Sequence, residues 1–397
     1  MTDPTLYLQK WSDRYKNDLL NNIMPFWLKN GWDRIHGGVY TCLNRDGSLM
    51  DRTKSVWFQG RFAFTCSYAY NNVEKNTQWL EAAKSTLDFI ERYCFDNDGR
   101  MYFTVTDDGK PIRKRRYVFS ETFTAIAMAE YALATGDKEY AQKAFRLFKD
   151  IRKFLNTPNL LEPKFESNVE LRSHSITMIL INVASCISKV YPDIKLDEQI
   201  NESIYQIQNY FIHPEFKALL ETVGPNGEFI DTNLTRTINP GHCIETSWFI
   251  MEEALKRRDK KLLDTALMIL DWSWNWGWDE KYGGIINFKD CKNLPSQDYS
   301  QDMKFWWPQC ETIIANLYAY YLTDDIKYLE RHQLISEWTY SHFPDNDYDE
   351  WFGYLHRDGS VAQPAKGNLF KGPFHVPRMM IMSYSLCQRI LLKKISQ

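Results

Sequence analysis

Four stretches of this chain repeat one pattern: an acidic residue, a glycine turn, and a few residues alternating toward Tyr, Phe or Ile, usually with a second Asp-Gly turn after them. They are WDRIHGGVYTCLNRDG (32–47), FDNDGRMYFTVTDDG (95–109), WDEKYGGIINFKD (278–290) and YDEWFGYLHRDGS (348–360), with a weaker copy in GPNGEFIDT (224–232). Glycine turns flanked by alternating residues predict short hairpins. Between the hairpins run segments with apolar residues at helical spacing, such as NTQWLEAAKSTLDFI, DKEYAQKAFRLFKDI, DKKLLDTALMILDW and DIKYLERHQLISEW, each opening on a polar cap. In the second, Tyr140, Ala144, Phe148, Ile151 and Leu155 share one helical face, and Gly136 followed by Asp137 supplies a stop and a new N-cap. About twelve such helices span residues 5 to 392, in six pairs.

Stacked helix pairs close either as an extended solenoid or as a ring. Solenoids carry short, uniform turns, whereas here one set of connections is long and hairpin-bearing. The expected fold is therefore all-α: an (α/α)6 barrel forming a single catalytic domain over residues 1–397, with its short β-hairpins collected at one end to build a site.

Composition narrows the function. The 51 acidic and 48 basic residues are mixed along the chain, which argues against a nucleic-acid partner. No basic leader precedes an apolar stretch and no window of about 18 apolar residues occurs, so a soluble, cytoplasmic protein with no membrane partner is expected. The eight cysteines are scattered singly, without C-x-x-C or neighbouring histidines, and read as reduced hydrophobes, Cys243 and Cys310 included; no metal site is expected. Aromatic residues make up 15% of the chain, enough to line a cavity for a ligand with apolar faces and polar edges, such as a sugar ring. Phosphate-binding, dinucleotide-binding, zinc-hydrolase and serine-hydrolase motifs are absent.

Two of the eight histidines stand in unusual company. His242, in NPGHCIETSWFIME, falls at the first turn of an apolar helix with Glu245 one turn on. His375, in GNLFKGPFHVPRMM, lies between Pro373 and Pro377 with Arg378 one turn on, again before an apolar helix. His174, in LRSHSITMIL, has the same form, while His36, His332, His342 and His356 lie in turn or charged-helix contexts and are expected to be solvated. MKFWWPQCETIIANLY sets Trp306, Trp307, Gln309 and Glu311 at the start of a helix, and SVWFQGRFAFTCSYAY does the same for Trp57, Gln59 and Arg61. A buried guanidinium needs a partner, so Arg61 has either a structural acid or an anionic or carbonyl ligand. Glu121, in FSETFTAIAMAEY, reads as a cap.

Together VWFQGR (56–61), GHCIETSW (241–248), WWPQCE (306–311) and KGPFHVPR (371–378) resemble, in order and spacing, the signature stretches of the N-acylglucosamine 2-epimerase family, and the likeness runs from about residue 8 to 392. The resemblance implies an (α/α)6 barrel and an isomerase that interconverts N-acetylglucosamine and N-acetylmannosamine by moving the C2 proton, in amino-sugar and sialic acid metabolism. It carries catalytic roles to His242, His375, Arg61, Glu311 and Arg378. Trp57, Gln59, Glu245, Trp306, Trp307, Gln309 and His174 are expected to bind substrate, and Pro373 and Pro377 to hold His375 rigid. No cofactor is required; some members are activated by ATP through a glycine-rich segment, but FKDCKNLPSQDYSQDMKFWW before the tryptophan pair lacks it. A homodimer is common in the family. The alternatives are a 2-epimerase or aldose-ketose isomerase on an unmodified sugar such as mannose or cellobiose, a glycoside hydrolase needing two carboxylates, and a non-enzymatic binding protein.

Overall fold

A computed structural model describes residues 3–115, 117–157, 160–161 and 169–395. Among the described residues twelve long helices follow one another: α1 Pro4–Asp18, α2 Val56–Asn72, α3 Thr77–Tyr93, α4 Phe119–Thr135, α5 Lys138–Asn156, α6 His174–Ser188, α7 Ile194–Gln206, α8 Pro240–Arg257, α9 Lys260–Gly277, α10 Trp306–Thr323, α11 Ile326–His342 and α12 His375–Ile395. The even-numbered helices touch one another in sequence, and α12 returns to α2 to close the ring. Each also packs on the odd-numbered helix that follows it, and α1 completes the last pair by packing on α12. The fold is an (α/α)6 barrel.

The sequence sorts helices between the two rings. In α4 every residue from Ser120 to Ala132 is buried, as a helix apolar on all sides must be. The outer α5 buries only the face built from Tyr140, Ala141, Ala144, Phe145, Leu147, Phe148, Ile151 and Phe154. Leu155 packs at the edge of that face and is only partly buried. Gly136 ends α4 at φ 75°, a left-handed position that glycine adopts without strain, and the Asp137 carboxylate accepts from the N–H groups of Glu139 and Tyr140 to start α5.

The inner helices begin differently. Short strands run directly into α2 (Lys54–Ser55), α6 (Arg172–Ser173), α8 (Thr237–Ile238) and α10 (Lys304–Phe305), pairing with the hairpins that follow other helices. This gathers the hairpins at the N-terminal end of the inner ring. Two of them are fastened in the same way. Gln59 accepts from Val39 N at 2.7 Å and donates to Val39 O at 2.9 Å, while Lys54 donates to Asp33 and Gly37 O, both at 2.7 Å. Gln309 accepts from Ile285 N at 2.7 Å and donates to Ile285 O at 2.8 Å, while Lys304 reaches Asp279 at 3.0 Å and Gly283 O at 2.6 Å.

Three expectations are corrected by burial. His332 is enclosed, not solvated: its ring nitrogens lie 2.7 Å from the Tyr7 hydroxyl and 3.0 Å from that of Tyr15, and burial lowers its pKa to about 3. A charged-helix context misleads here because α11 turns His332, with Ser336 and Tyr340, toward α1. Glu121 does not cap α4; it accepts from Arg100 Nε at 2.7 Å and Met101 N at 3.0 Å, tying down the hairpin beyond α3. Gln59 and Gln309 brace loops instead of facing a ligand. Cys243 and Cys310 are fully enclosed with their thiols pushed up by burial. Among the described residues no helix is long and apolar enough to cross a membrane.

Candidate active site

A cavity of about 330 Å³ opens at the N-terminal end of the inner ring and is lined from the first turns of all six inner helices. Trp57 and Arg61 come from α2, Glu245 and His242 from α8, Trp306 and Trp307 from α10, and His375 from α12. Those seven residues were expected at the site. Trp307 lies between the two imidazoles, its ring centroid 5.1 Å from that of His242 and 5.8 Å from that of His375. Gly241 makes room for it: a Cβ there would come within 2.4 Å of the Trp307 ring.

His375 sits in a buried knot of charge. Its Nδ1 is 2.7 Å from Glu311 Oε1, and because a carboxylate only accepts, Nδ1 carries the proton and Nε2 is left as the basic nitrogen toward the cavity. Glu311 also accepts from Trp248 Nε1 at 2.9 Å and from Arg378 Nη2 at 2.7 Å, and the same Nη2 donates to Glu245 at 2.5 Å. Burial, reinforced by the Arg378 and Arg61 cations, holds the His375 imidazole well below its ordinary pKa, so it rests neutral. Burial opposes the charge on Arg378, but Glu311 and Glu245 outweigh it and keep the guanidinium protonated. Glu245, Glu311 and His375 bring ligand-type atoms within 4.8 Å of one another, and the cation among them is this guanidinium. At the preceding turn Pro373 O accepts from Thr65 Oγ1 at 2.8 Å, fixing the start of α12 to α2.

His242 is braced by other residues. Its Nδ1 lies 3.0 Å from Glu221 Oε2 and 3.0 Å from Asn239 Nδ2, and Asn239 Oδ1 also accepts from His242 N, capping α8. The Glu221 carboxylate lies 3.6 Å from Nδ1 of His174 as well. His174 is fully buried and bonds Thr246 through Nε2 at 2.9 Å, so it stands behind His242 and not in the cavity.

Five expected site residues therefore do not line the cavity: Gln59, Gln309, His174, Glu311 and Arg378. Glu311 and Arg378 act through His375 and Glu245. Arg61 does face it; no ion pair to a structural acid forms among the described residues, Glu245 and Glu311 act on it only through space, and burial lowers its pKa to about 9. The rings of Phe123 and Phe374 cover its guanidinium at 3.9 and 4.6 Å. Arg61 Nε, Trp57 Nε1 and Trp306 Nε1 are buried donors with no hydrogen-bond partner among the described residues. Sequence reasoning missed Glu221, Asn239 and Asn287. An acid inside the apolar run FKALLETV was the available signal for Glu221, and the cap position before PGH the signal for Asn239.

Two imidazoles, each with Nδ1 on a carboxylate, face one cavity of an (α/α)6 barrel, an arrangement suited to general acid–base chemistry on a bound molecule. Residues 38–371 match the family model for N-acylglucosamine 2-epimerase (GlcNAc 2-epimerase). The chain is 33% identical over 395 residues to N-acylglucosamine 2-epimerase of Bos taurus, covering 97% of this chain and 93% of the relative. It is 31% identical over 401 residues to the Homo sapiens protein of the same name, covering 97% and 91%. The fold matches the solved structure of cellobiose 2-epimerase from Spirochaeta thermophila with a TM-score of 0.85 at 21% identity, over 100% of both chains. The chain belongs to the N-acylglucosamine 2-epimerase family and is an isomerase of the epimerase type.

Proposed function

We propose that the chain interconverts N-acetyl-D-glucosamine and N-acetyl-D-mannosamine by removing the C2 proton of the open-chain sugar and returning it to the opposite face. The observation that carries this reading is the pairing of His242–Glu221 and His375–Glu311 around one cavity. A proton beside an aldehyde is weakly acidic, so its removal needs a base on one face, an acid on the other and a donor at the oxygen that becomes negative. His375, resting neutral, takes or returns the proton on one face, His242 on the other, and Arg61 receives the oxyanion of the enolate. Curated relatives at 31–33% identity carry the N-acyl substrate in their names. Apolar lining from Phe123, Met178 and Ile179 suits an acyl methyl.

Proton NMR of N-acetylmannosamine in D2O with the purified protein tests the reading. Loss of the C2 proton signal together with appearance of N-acetylglucosamine is expected. Turnover of mannose or cellobiose but not of the N-acyl sugar would overturn the substrate and keep the histidine pair; deuterium at C1 of a ketose would mark an isomerase. The same run with and without ATP checks whether activity is independent of nucleotide. A cytoplasmic setting is supported by the eight buried free thiols, which suit a reducing compartment. The homodimer common in the family is read out by sedimentation.

A further inference from the structure

We propose that Glu221 is a positioning residue that fixes the tautomer of His242 against Asn239, and that it governs inversion without governing proton removal on the opposite face. This rests on the epimerase reading above. Nδ1 of His242 has an acceptor and a donor at the same distance, Glu221 Oε2 and Asn239 Nδ2, each at 3.0 Å. Only one can hold it. Asn239 Oδ1 is committed to His242 N, so the amide presents its NH2 to the ring. With the carboxylate in place, the charge-assisted Nδ1–H to Glu221 bond wins, and Nε2 faces the substrate as a base. A neutral group at 221 removes that advantage. Asn239 then donates to a bare Nδ1, the ring proton moves to Nε2, and His242 can neither accept a proton there nor lean on an anion when it becomes imidazolium.

Glu311 cannot substitute. Its carboxylate is shared with Arg378 and Trp248 and holds only His375. The carboxylate bonded to His242 is Glu221, which faces two imidazoles, His242 at 3.0 Å and His174 at 3.6 Å, with Thr246 on the far nitrogen of His174. The two halves of the reaction therefore separate. His375 Nε2 takes the C2 proton of one epimer, the electron pair moves into the enolate, and the same imidazolium, after exchanging with solvent, returns a deuteron to the same face. That cycle regenerates the starting epimer labelled at C2 and needs nothing from His242.

The test uses the full chain in D2O, starting from each epimer separately. Glu221→Gln is expected to lower inversion from both epimers by at least about a hundredfold, while one epimer keeps exchanging its C2 proton near the wild-type rate. That retained exchange also shows that the variant is folded. In ¹⁵N-histidine spectra the His242 ring is expected as the Nδ1–H tautomer in wild type and Nε2–H in Glu221→Gln, with Glu221→Asp restoring part of the inversion. Retained inversion, or equal loss of exchange from both epimers, would overturn the proposal. If wild type neither exchanges nor inverts either sugar, the epimerase reading itself fails and this proposal with it.

Discussion

The two sides of the cavity carry the same pair, imidazole on carboxylate, in opposite settings. The His375 side chain is 8% exposed and its carboxylate is caught between a guanidinium and an indole. His242 keeps 25% of its side chain exposed, and its carboxylate faces a second imidazole. One side is made rigid by charge, the other left adjustable by hydrogen bonding. A reaction that must run in both directions needs two bases, but it does not need two identical ones. The difference teaches which residue is replaceable: the His375 side fails as a unit, whereas the His242 side is tunable through a single acid.

The largest effect should come from breaking the symmetry of the reaction itself. His375→Ala and His242→Ala are each expected to lower epimerisation about a thousandfold. In D2O the two variants should be mirror images: each retains C2 exchange of the epimer that the other has lost. Both variants exchanging the same epimer would mean that one histidine does not touch the sugar.

Next comes the knot. Glu311→Gln leaves Arg378 with one carboxylate in place of two and sets a neutral amide, with one acceptor oxygen, against the His375, Arg378 and Trp248 donors, in a site where the three charged and imidazole side chains are buried. Breaking a buried ion pair in this way should cost about 3–5 kcal/mol of stability, measured by urea unfolding, together with loss of activity. Glu221→Gln, which replaces the carboxylate 3.0 Å from His242 Nδ1 and 3.6 Å from His174 Nδ1, should cost about 1–3 kcal/mol. Equal losses would dissolve the contrast between the two sides.

Much of this contrast was legible in the sequence on one side only. His375, Arg378 and Glu311 lie in the motifs KGPFHVPR and WWPQCE, and helical spacing alone puts Arg378 one turn from His375. The six-pair count gave stacked helix pairs, and the long hairpin-bearing connections on one side pointed to the ring, because a solenoid carries short, uniform turns. What was not legible is the partner of His242: Glu221 sits on a short extended loop between α7 and α8, 21 residues away, where no periodicity links it to the helix. Burial within a motif was equally invisible. Gln59 and Gln309 look like polar site residues because they stand beside Arg61 and Trp307, yet each amide points backward to hold a loop.

Those two glutamines give the third test, since the paired braces extend the comparison below the cavity floor. Both α2 and α10 carry the brace, while α8, which bears His242, is held at its start by Asn239 instead. Gln59→Ala and Gln309→Ala each orphan a buried backbone N–H and C=O and should each cost about 1–3 kcal/mol. Thermal unfolding of the two variants should show similar losses, because the geometry repeats to within 0.1 Å on the backbone contacts. A loss in one alone would mean that the repeat is sequence without energetic content.

The smallest effect concerns acid. His332 is enclosed by the Tyr7 and Tyr15 hydroxyls, and burial lowers its pKa to about 3; His375 is also held well below the ordinary value, by burial and by Arg378 and Arg61. Both are neutral in the folded chain, whereas an unfolded histidine binds a proton below about pH 6.5. The unfolded state thus takes up more protons as pH falls, so the stability these groups hold is fully present above about pH 6.5 and drains below it. Each group contributes a slope of about 1.4 kcal/mol per pH unit, continuing for His332 toward pH 3. His332→Gln removes one such group far from the cavity and should flatten the slope by that amount in urea titrations between pH 6 and 4.5, with epimerisation at neutral pH unchanged. An unchanged slope would mean that His332 is protonated in the folded chain, and that the Tyr7 and Tyr15 hydroxyls hold an imidazolium instead of a neutral ring.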